Sequence, residues 1–564
     1  MKKEKTFMNK KLTKLLSMAL AIGMVGSTMA ACGGNGNSDS EQTLDIYLLY
    51  KGYGDSWLTS AIDSFKQEAW VKEAYPELAI NYTFDSVDAT AFQKITAGAS
   101  INKYDLLFGV NLQGYEDRGL IADLTDSVYL AEVPGETGVQ VVDKIPERVL
   151  SKVRRANAPA RADGKDTYHV VSYIDGMFGM YYNADLLTQM QLPVPLTTEQ
   201  FMEVGAQIQS KTYTSSIKSG EKTVIMNNAN DNYWNTSFSV WWAQYEGVEG
   251  LENYYEGYDV AEAKYGSRTV LDQEGRLESL TVIDNILSKY SYESSLSTDY
   301  KKAQTAFLSG QGVFHYNGDY FASEMQLEME ALKADNINYD IKYMRMPVIS
   351  SIVEKLELYT HGTADFNSLS AAEKSAYDAK LRAIIQAVDE DKTYAQANLA
   401  GISENDFNTV AAARCIMGWR AANSQAAVVP SYAAAKGLAA DFLRYMYTDK
   451  MIKNFTKVSK GTLFPSTYDI LNDQEVMASV SSIEKSKMDL LKGTSNYSFT
   501  SMPVPSATSL GKAGLDAIYF NGTFEVMAVQ TTNKMSPADI LAAEKEHWNQ
   551  NAWDQMVSSS SLNK

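Results

Sequence analysis

A chain of 564 residues exceeds what one hydrophobic core organises, so two to four domains are expected; 45% hydrophobic against 21% charged residues is a globular composition and excludes a disordered chain. Acidic residues outnumber basic ones 69 to 51, and the first 31 residues hold six lysines and one glutamate, so the formal charge of −18 becomes −23 beyond them. A surface of that sign repels nucleic acid and anionic lipid and argues against both as partners. Of the two cysteines, Cys32 belongs to the leader and Cys415 stands alone, so the mature chain draws no internal disulfide.

Residues 1–31 read as a leader. Lys10, Lys11 and Lys14 precede an apolar run over 15–25, too short for a comfortable membrane span, that ends in Ser27-Thr28-Met29-Ala30-Ala31-Cys32. Small residues directly before a cysteine resemble a bacterial lipobox, with Met29 where leucine is usual. The resemblance implies cleavage before Cys32 and diacylation of its thiol, and two acyl chains anchor stably where one does not. The alternative is an ordinary secretory signal cut after Ala31. Residues 32–42 follow as a flexible tether containing GGNGNSDSE.

Leu44, Ile46 and Leu48 then alternate as a strand, Leu58, Ile62, Phe65 and Ala69 recur at helical spacing, and Leu78, Ile80, Tyr82 and Phe84 alternate again. A helix near 91–99 and a short strand over 105–110 complete an alternation that predicts a parallel sheet. Ligands bind beyond the carboxyl ends of such strands, here at 51–57 and 110–115. The stretch 168–187 reads as strand, pivot, strand: Val170, Val171 and Tyr173 are β-prone, Asp175-Gly176 breaks the run, and Met180, Tyr181 and Tyr182 resume it up to Asn183, which caps a helix. Beyond it, helices are expected at 198–210, 235–245 and 277–289, with a β-prone stretch at 267–272. Ser370 and Glu373 stand at capping-box spacing before a helix to about Val388, residues 433–447 are amphipathic, and Ser536-Pro537 opens a last helix with Trp548 and Trp553 near its end.

Six segments carry a family pattern in order. They are Gly119-Leu120-Ile121-Ala122-Asp123-Leu124-Thr125; the run Tyr182-Asn183-Ala184-Asp185-Leu186-Leu187 with Pro193, Pro195 and Thr197-Thr198-Glu199-Gln200-Phe201; AQTAFLSGQGVFHYNGDY at 303–320; YMRMP at 343–347; Gly418-Trp419; and Lys460-Gly461-Thr462-Leu463-Phe464-Pro465. Together they resemble the extracellular solute-binding proteins of sugar ABC transporters, the family of maltose-binding protein. Two departures stand out: Leu196 separates the proline from the threonine, and Tyr320 replaces the commoner tryptophan.

The resemblance implies an α/β fold, a two-lobed periplasmic-binding-protein-like (type II) clamp with discontinuous lobes joined by a hinge. The first lobe would comprise 43–174 and 345–466, the second 175–344 and 467–564. Residues 343–347 would be the return crossing. Residues 353–414 read as a helical insertion whose deletion leaves a folded clamp; alternatively those helices belong to the first lobe itself. Asn111, Tyr173, Asp175, Asp319, Tyr320, Gly418 and Trp419 match positions that line family ligand sites. Tyr53 and Trp57 follow from the first-strand loop, and Trp234 stands among polar neighbours in Asn232-Tyr233-Trp234-Asn235. Flat rings cover the apolar faces of a sugar while carboxylates and amides bond its hydroxyls, although any single aromatic is as readily core. Trp241 and Trp242 are left to packing.

The function so implied is a lipid-anchored receptor, a monomer on the outer face of the bacterial cytoplasmic membrane. It would bind a carbohydrate, an oligosaccharide, and deliver it to ABC transporter permease subunits. His169, His315, His361 and His547 form no HExxH pair or metal spacing, and neither a GxSxG elbow nor a P-loop is present, so no enzyme, cofactor or metal is expected. Asp389-Glu390-Asp391 reads as a solvated helix end rather than a calcium site. The alternatives are a lipid-anchored glycan hydrolase, an adhesin using the same clamp, or a receptor for a peptide, a polyamine or iron, the last because Tyr181-Tyr182 is an adjacent pair.

Overall fold

Two sheets organise the computed structural model, which describes residues 41–49, 52–85, 95–109, 115, 118–155, 166–210, 225–226, 233–291, 299–420, 425–498, 502, 509–518, 535–560 and 562. At 155, 225–226, 233–235, 287, 419–420 and 512 it describes the backbone alone. The leader, Cys32 and Asn111 lie outside the described residues, as do the side chains of Trp234 and Trp419. No helix among the described residues is long and apolar enough to cross a membrane.

In chain order the strands of the two main sheets are β1 (Thr43–Leu49), β2 (Ala79–Asp85), β3 (Leu106–Phe108), β4 (Val171–Ser172), β5 (Met177–Asn183), β6 (Ile225–Met226), β7 (Phe314–Gly318), β8 (Ile341–Met344), β9 (Trp419–Arg420) and β10 (Ala426–Val428). The first sheet runs β2-β1-β3-β10-β4, with β1 parallel to β2 and β3 and with β10 antiparallel to β3 and β4. The second runs β8-β5-β7-β6, and β9 joins β5 antiparallel. β1 buries Ile46, Tyr47, Leu48 and Leu49 alike, because a central parallel strand is covered on both faces, whereas Tyr82 and Phe84 on the β2 edge stay exposed. Residues 173–176 carry one run of chain from β4 in the first sheet to β5 in the second, so the predicted pivot is a crossing between sheets.

The helices used below are α1 (Ser56–Gln67), α2 (Glu147–Val153), α3 (Thr198–Ser210), α4 (Tyr233–Glu256, broken at Gly247), α5 (Glu274–Lys289), α6 (Ala371–Asp389), α7 (Glu404–Cys415), α8 (Asp449–Val458), α9 (Ser482–Leu491), α10 (Pro537–His547) and α11 (Gln550–Ser559). Trp57, Phe65, Phe108, Tyr173, Phe442 and Phe455 centre the first core, and Phe201, Trp241, Trp242, Tyr254, Leu280 and Trp553 the second. The Ser370–Glu373 capping box forms as read, as does the Ser536 cap with Pro537. The last expected helix is two, parted where Asn549 caps α11.

Packing corrects three expectations. Residues 267–272 form a 3-10 turn over Arg268–Asp272 instead of a strand, because Ser267 caps it by accepting from the Thr269 N–H. Residues 343–347 do not return to the first lobe. Met346, Val348 and Ile349 are buried in the second core, the Trp241 indole donates to the Pro347 carbonyl at 3.1 Å, and the Ile349 N–H donates to Gln244 at 2.9 Å. The chain re-enters the first sheet only at β10. Residues 353–414 are accordingly neither an insertion in the first lobe nor part of its core: α6 packs on α3 and α7, α7 packs on α4, and Leu381, Ile384, Ile385, Val388, Phe407 and Val410 bury in the second core. Ile470 and Val476 still belong to the first core, and the chain meets the second sheet again with α9.

Candidate functional site

Chain from both sheets converges where β5 begins and β7 ends. Asp319, directly after β7, is 1% exposed; its Oδ1 accepts from the Tyr53 hydroxyl at 2.6 Å, and its Oδ2 lies 3.3 Å from Lys487 Nζ on α9. Tyr53 follows β1, so this hydrogen bond ties the first sheet to the second. Lys487 also pairs with Glu484, one helical turn before it, and both are buried. Burial pulls the Lys487 ammonium down, but Glu484 and Asp319 outweigh it and hold the group above its ordinary value. Burial, then the charge of Asp319, push the Tyr53 phenol well up, so it stays a donor.

The Tyr320 ring lies edge-on to Tyr53 (centroids 5.6 Å apart) and to Phe178 (5.8 Å), and Phe178 pairs with Trp419 through the β5–β9 backbone. Glycine makes room for it. A Cβ on Gly318 would stand 2.4 Å from the Tyr320 ring, and one on Gly176 would stand 2.9 Å from the Tyr53 hydroxyl and 3.0 Å from Asp319. Gly418 permits the same closeness against the Phe178 carbonyl, 2.3 Å from its would-be Cβ. The result is a set of aromatic faces beside a buried carboxylate, groups that can cover apolar surface and accept hydrogen bonds.

Tyr53, Asp319, Tyr320 and Gly418 therefore come together, while three other candidates do not. Trp57 and Tyr173, 1% and 2% exposed, pack against each other and Phe108, and Trp57 also against Phe455, inside the first core rather than beside Asp319. The Asp175 carboxylate pairs with Arg148 of α2 at 2.7 Å and faces a separate cavity of about 370 Å³ lined also by Thr456, Phe464, Tyr468 and Asp469. Its neighbour Gly176 faces Tyr53, as alternation in extended chain requires. Phe178, Lys487 and Glu484 escaped the sequence reading. A Glu and a Lys three apart on a helix look like a solvated surface pair, and nothing local betrays their burial.

Glu484 yields a pH prediction. Burial lifts its carboxyl to about 7, with Lys487 opposing and Asp319 adding to the rise. A carboxyl raised on folding contributes stability that is full below its unfolded value of about 4.3 and is lost as pH rises through 7. Glu484→Gln abolishes that loss, so the stability of the variant relative to wild type should climb between pH 5 and 8 by an amount on the order of 3 kcal/mol, at 1.36 kcal/mol per pKa unit. Urea denaturation at both pH values checks it, and a pH-independent difference contradicts it.

Two sheet-centred α/β lobes joined by chain that passes between them define a hinged binding protein. Residues 79–481 match the model of the bacterial extracellular solute-binding protein family, and the chain belongs to that family. It is a receptor of that extracellular class and not an enzyme. No curated protein sequence matches. Similar solved structures include a chitin oligosaccharide binding protein (15% identity, 91% of this chain and 100% of that one, TM-score 0.53) and the GacH receptor of Streptomyces glaucescens, determined unliganded and with acarbose (15%, 92% and 98%, 0.51). RafE in complex with raffinose is a third (14%, 91% and 99%, 0.50). At these identities the likeness is one of fold.

Proposed function

We propose that the chain is a lipid-anchored receptor of an ABC importer that closes on an oligosaccharide between its lobes and hands it to the membrane permease. The observation that carries this reading is the Tyr53–Asp319 hydrogen bond between the two sheets, set against the Tyr320 and Phe178 rings. Aromatic faces beside a carboxylate whose charge Lys487 already answers suit a polyhydroxylated ring better than a polyamine, which calls for carboxylates without such a partner. The similar structures, a chitin oligosaccharide binding protein, the GacH receptor with acarbose and RafE with raffinose, support the same class. Asn111, Trp234 and Trp419 complete the proposed site, and the small residues before Cys32 support the anchor.

A melting-temperature screen of oligosaccharides, oligopeptides, polyamines and ferric ion tests it. A ligand of the folded state at a hundredfold excess over Kd stabilises by about 2.7 kcal/mol. An oligosaccharide is expected to raise the melting temperature and the other classes are not. A response confined to peptides, polyamines or iron contradicts the reading, as does release of shortened sugars.

A further inference from the structure

Outside that site, three carboxylates from separate segments meet beside the second core. Glu278 projects from α5, Glu354 from the 3-10 turn Ser350–Lys355, and Asp365 caps the turn Phe366–Ser368; one oxygen of each lies within 4.8 Å of the others. Their orientations are fixed. The Tyr245 hydroxyl donates to Glu354 Oε2 at 2.7 Å, the Phe366 N–H donates to Glu354 Oε1, and the Asn367 amide donates to Glu278 Oε2 at 2.8 Å. Each carboxylate oxygen has two lone pairs, so these bonds orient acceptors without exhausting them.

The charge of the trio is unmatched. Lys355, the nearest lysine in sequence, pairs with Glu274 at 3.1 Å and Glu246 at 3.9 Å, and among the described residues no lysine or arginine pairs with Glu278, Glu354 or Asp365. Like charges this close in a largely buried place cannot all stay ionised without a proton or a cation. Burial foremost, with Glu354 and Asp365 adding, pushes Glu278 up to about 7. An independent observation favours the cation. The Ser351 hydroxyl, 4% exposed, lies against the Glu278 carboxylate and makes no well-formed hydrogen bond. On the Glu278 side, away from Glu354 and Asp365, Ser350, Ser351 and Asn367 border a cavity of about 20 Å³, room for a single water.

We propose that Glu278, Glu354 and Asp365, with the Ser351 hydroxyl, form a calcium-binding site that pins residues 353–414 to α5. The donors are hard oxygens throughout, which selects an alkaline-earth ion over zinc. Several protein oxygens held on separate segments suit calcium, which takes six to eight oxygen ligands in flexible geometry, better than magnesium, which demands a near-ideal octahedron and keeps its waters. The site joins three segments already linked by the Asn367–Glu278 and Phe366–Glu354 hydrogen bonds, so the bound ion acts as a further clasp.

Chelator-treated full-length protein is titrated with calcium, magnesium and terbium. Calcium is expected to raise the melting temperature, magnesium to do so at least tenfold less effectively, and terbium to luminesce on excitation of Tyr245, with calcium displacing it. Glu278→Gln and the exposed Asp365→Asn should each weaken calcium binding at least tenfold. Glu278→Gln should leave the calcium-free melting temperature unchanged or higher, since it removes repulsion. Absence of both the calcium shift and the terbium signal overturns the proposal and leaves Glu278 a protonated buried acid. Equal responses to magnesium, or a terbium signal intact in both variants, overturn it as well.

Discussion

Deletion of residues 353–414 behind a short linker is expected to abolish cooperative unfolding of the second core. Leu381, Ile384, Ile385, Val388, Phe407 and Val410 are each no more than 1% exposed and lie in that core. At about 1.5–3 kcal/mol per buried side chain they represent roughly 10–20 kcal/mol, which equals or exceeds the entire stability of a typical domain, about 5–15 kcal/mol. Asp406 adds to the loss by accepting the N–H groups of Glu357 and Leu358, and Arg414 by bridging Asp389 to the Met346 carbonyl. Calorimetry of the deletion variant checks this, and a single sharp transition near the wild-type temperature contradicts it.

Glu544→Ala is expected to cost about 3–5 kcal/mol, because it strands a buried guanidinium. Arg276 and Glu544 have fully buried side chains and meet at 2.5 Å. Arg276 also donates to the Leu271 and Ala517 carbonyls and lies over the Tyr254 ring at 4.8 Å, so it staples α10 to α5 through the centre of the second core. Burial pulls the guanidinium down, and Glu544 outweighs it. Replacing both partners, Arg276→Met with Glu544→Leu, removes the charges together and is expected to leave stability within about 1–2 kcal/mol of wild type. Chemical denaturation distinguishes the two variants, and a loss below about 1 kcal/mol for Glu544→Ala contradicts the pairing argument.

Local physics made much of the fold legible in the sequence. The Ser370 and Ser536 caps, the three strands between Thr43 and Phe108 with the helix Ser56–Gln67, and the break at Asp175-Gly176 all depend on residues close together in the chain, while the expected helix near 91–99 lies largely outside the described residues. What failed depends on distant partners. YMRMP reads the same whether it crosses to the first lobe or stays, and only Trp241 and Gln244, a hundred positions earlier, hold it in the second core. Trp57 and Tyr173 carry the chemistry of a ligand wall, yet Phe455 and Phe108 close over them. Of the proposed site, the turn Asp319-Tyr320 was readable from its glycine and aromatic neighbours. Its partners Tyr53 and Lys487, 266 and 168 positions away, required the fold to bring them together.

Calorimetric titration of wild type and Asp319→Asn with the oligosaccharide that most raises the melting temperature tests carbohydrate recognition at this site most directly. Asp319 offers a carboxylate acceptor that Asn replaces with a neutral amide, and hydrogen bonds to charged groups are roughly twice as strong as neutral ones. The expected result is one sugar bound per wild-type molecule and an affinity at least about tenfold lower in Asp319→Asn, since about 1.4 kcal/mol is a factor of ten. Equal affinity in the two proteins, or no heat with any oligosaccharide, would contradict a carbohydrate site built on Asp319 and Tyr320.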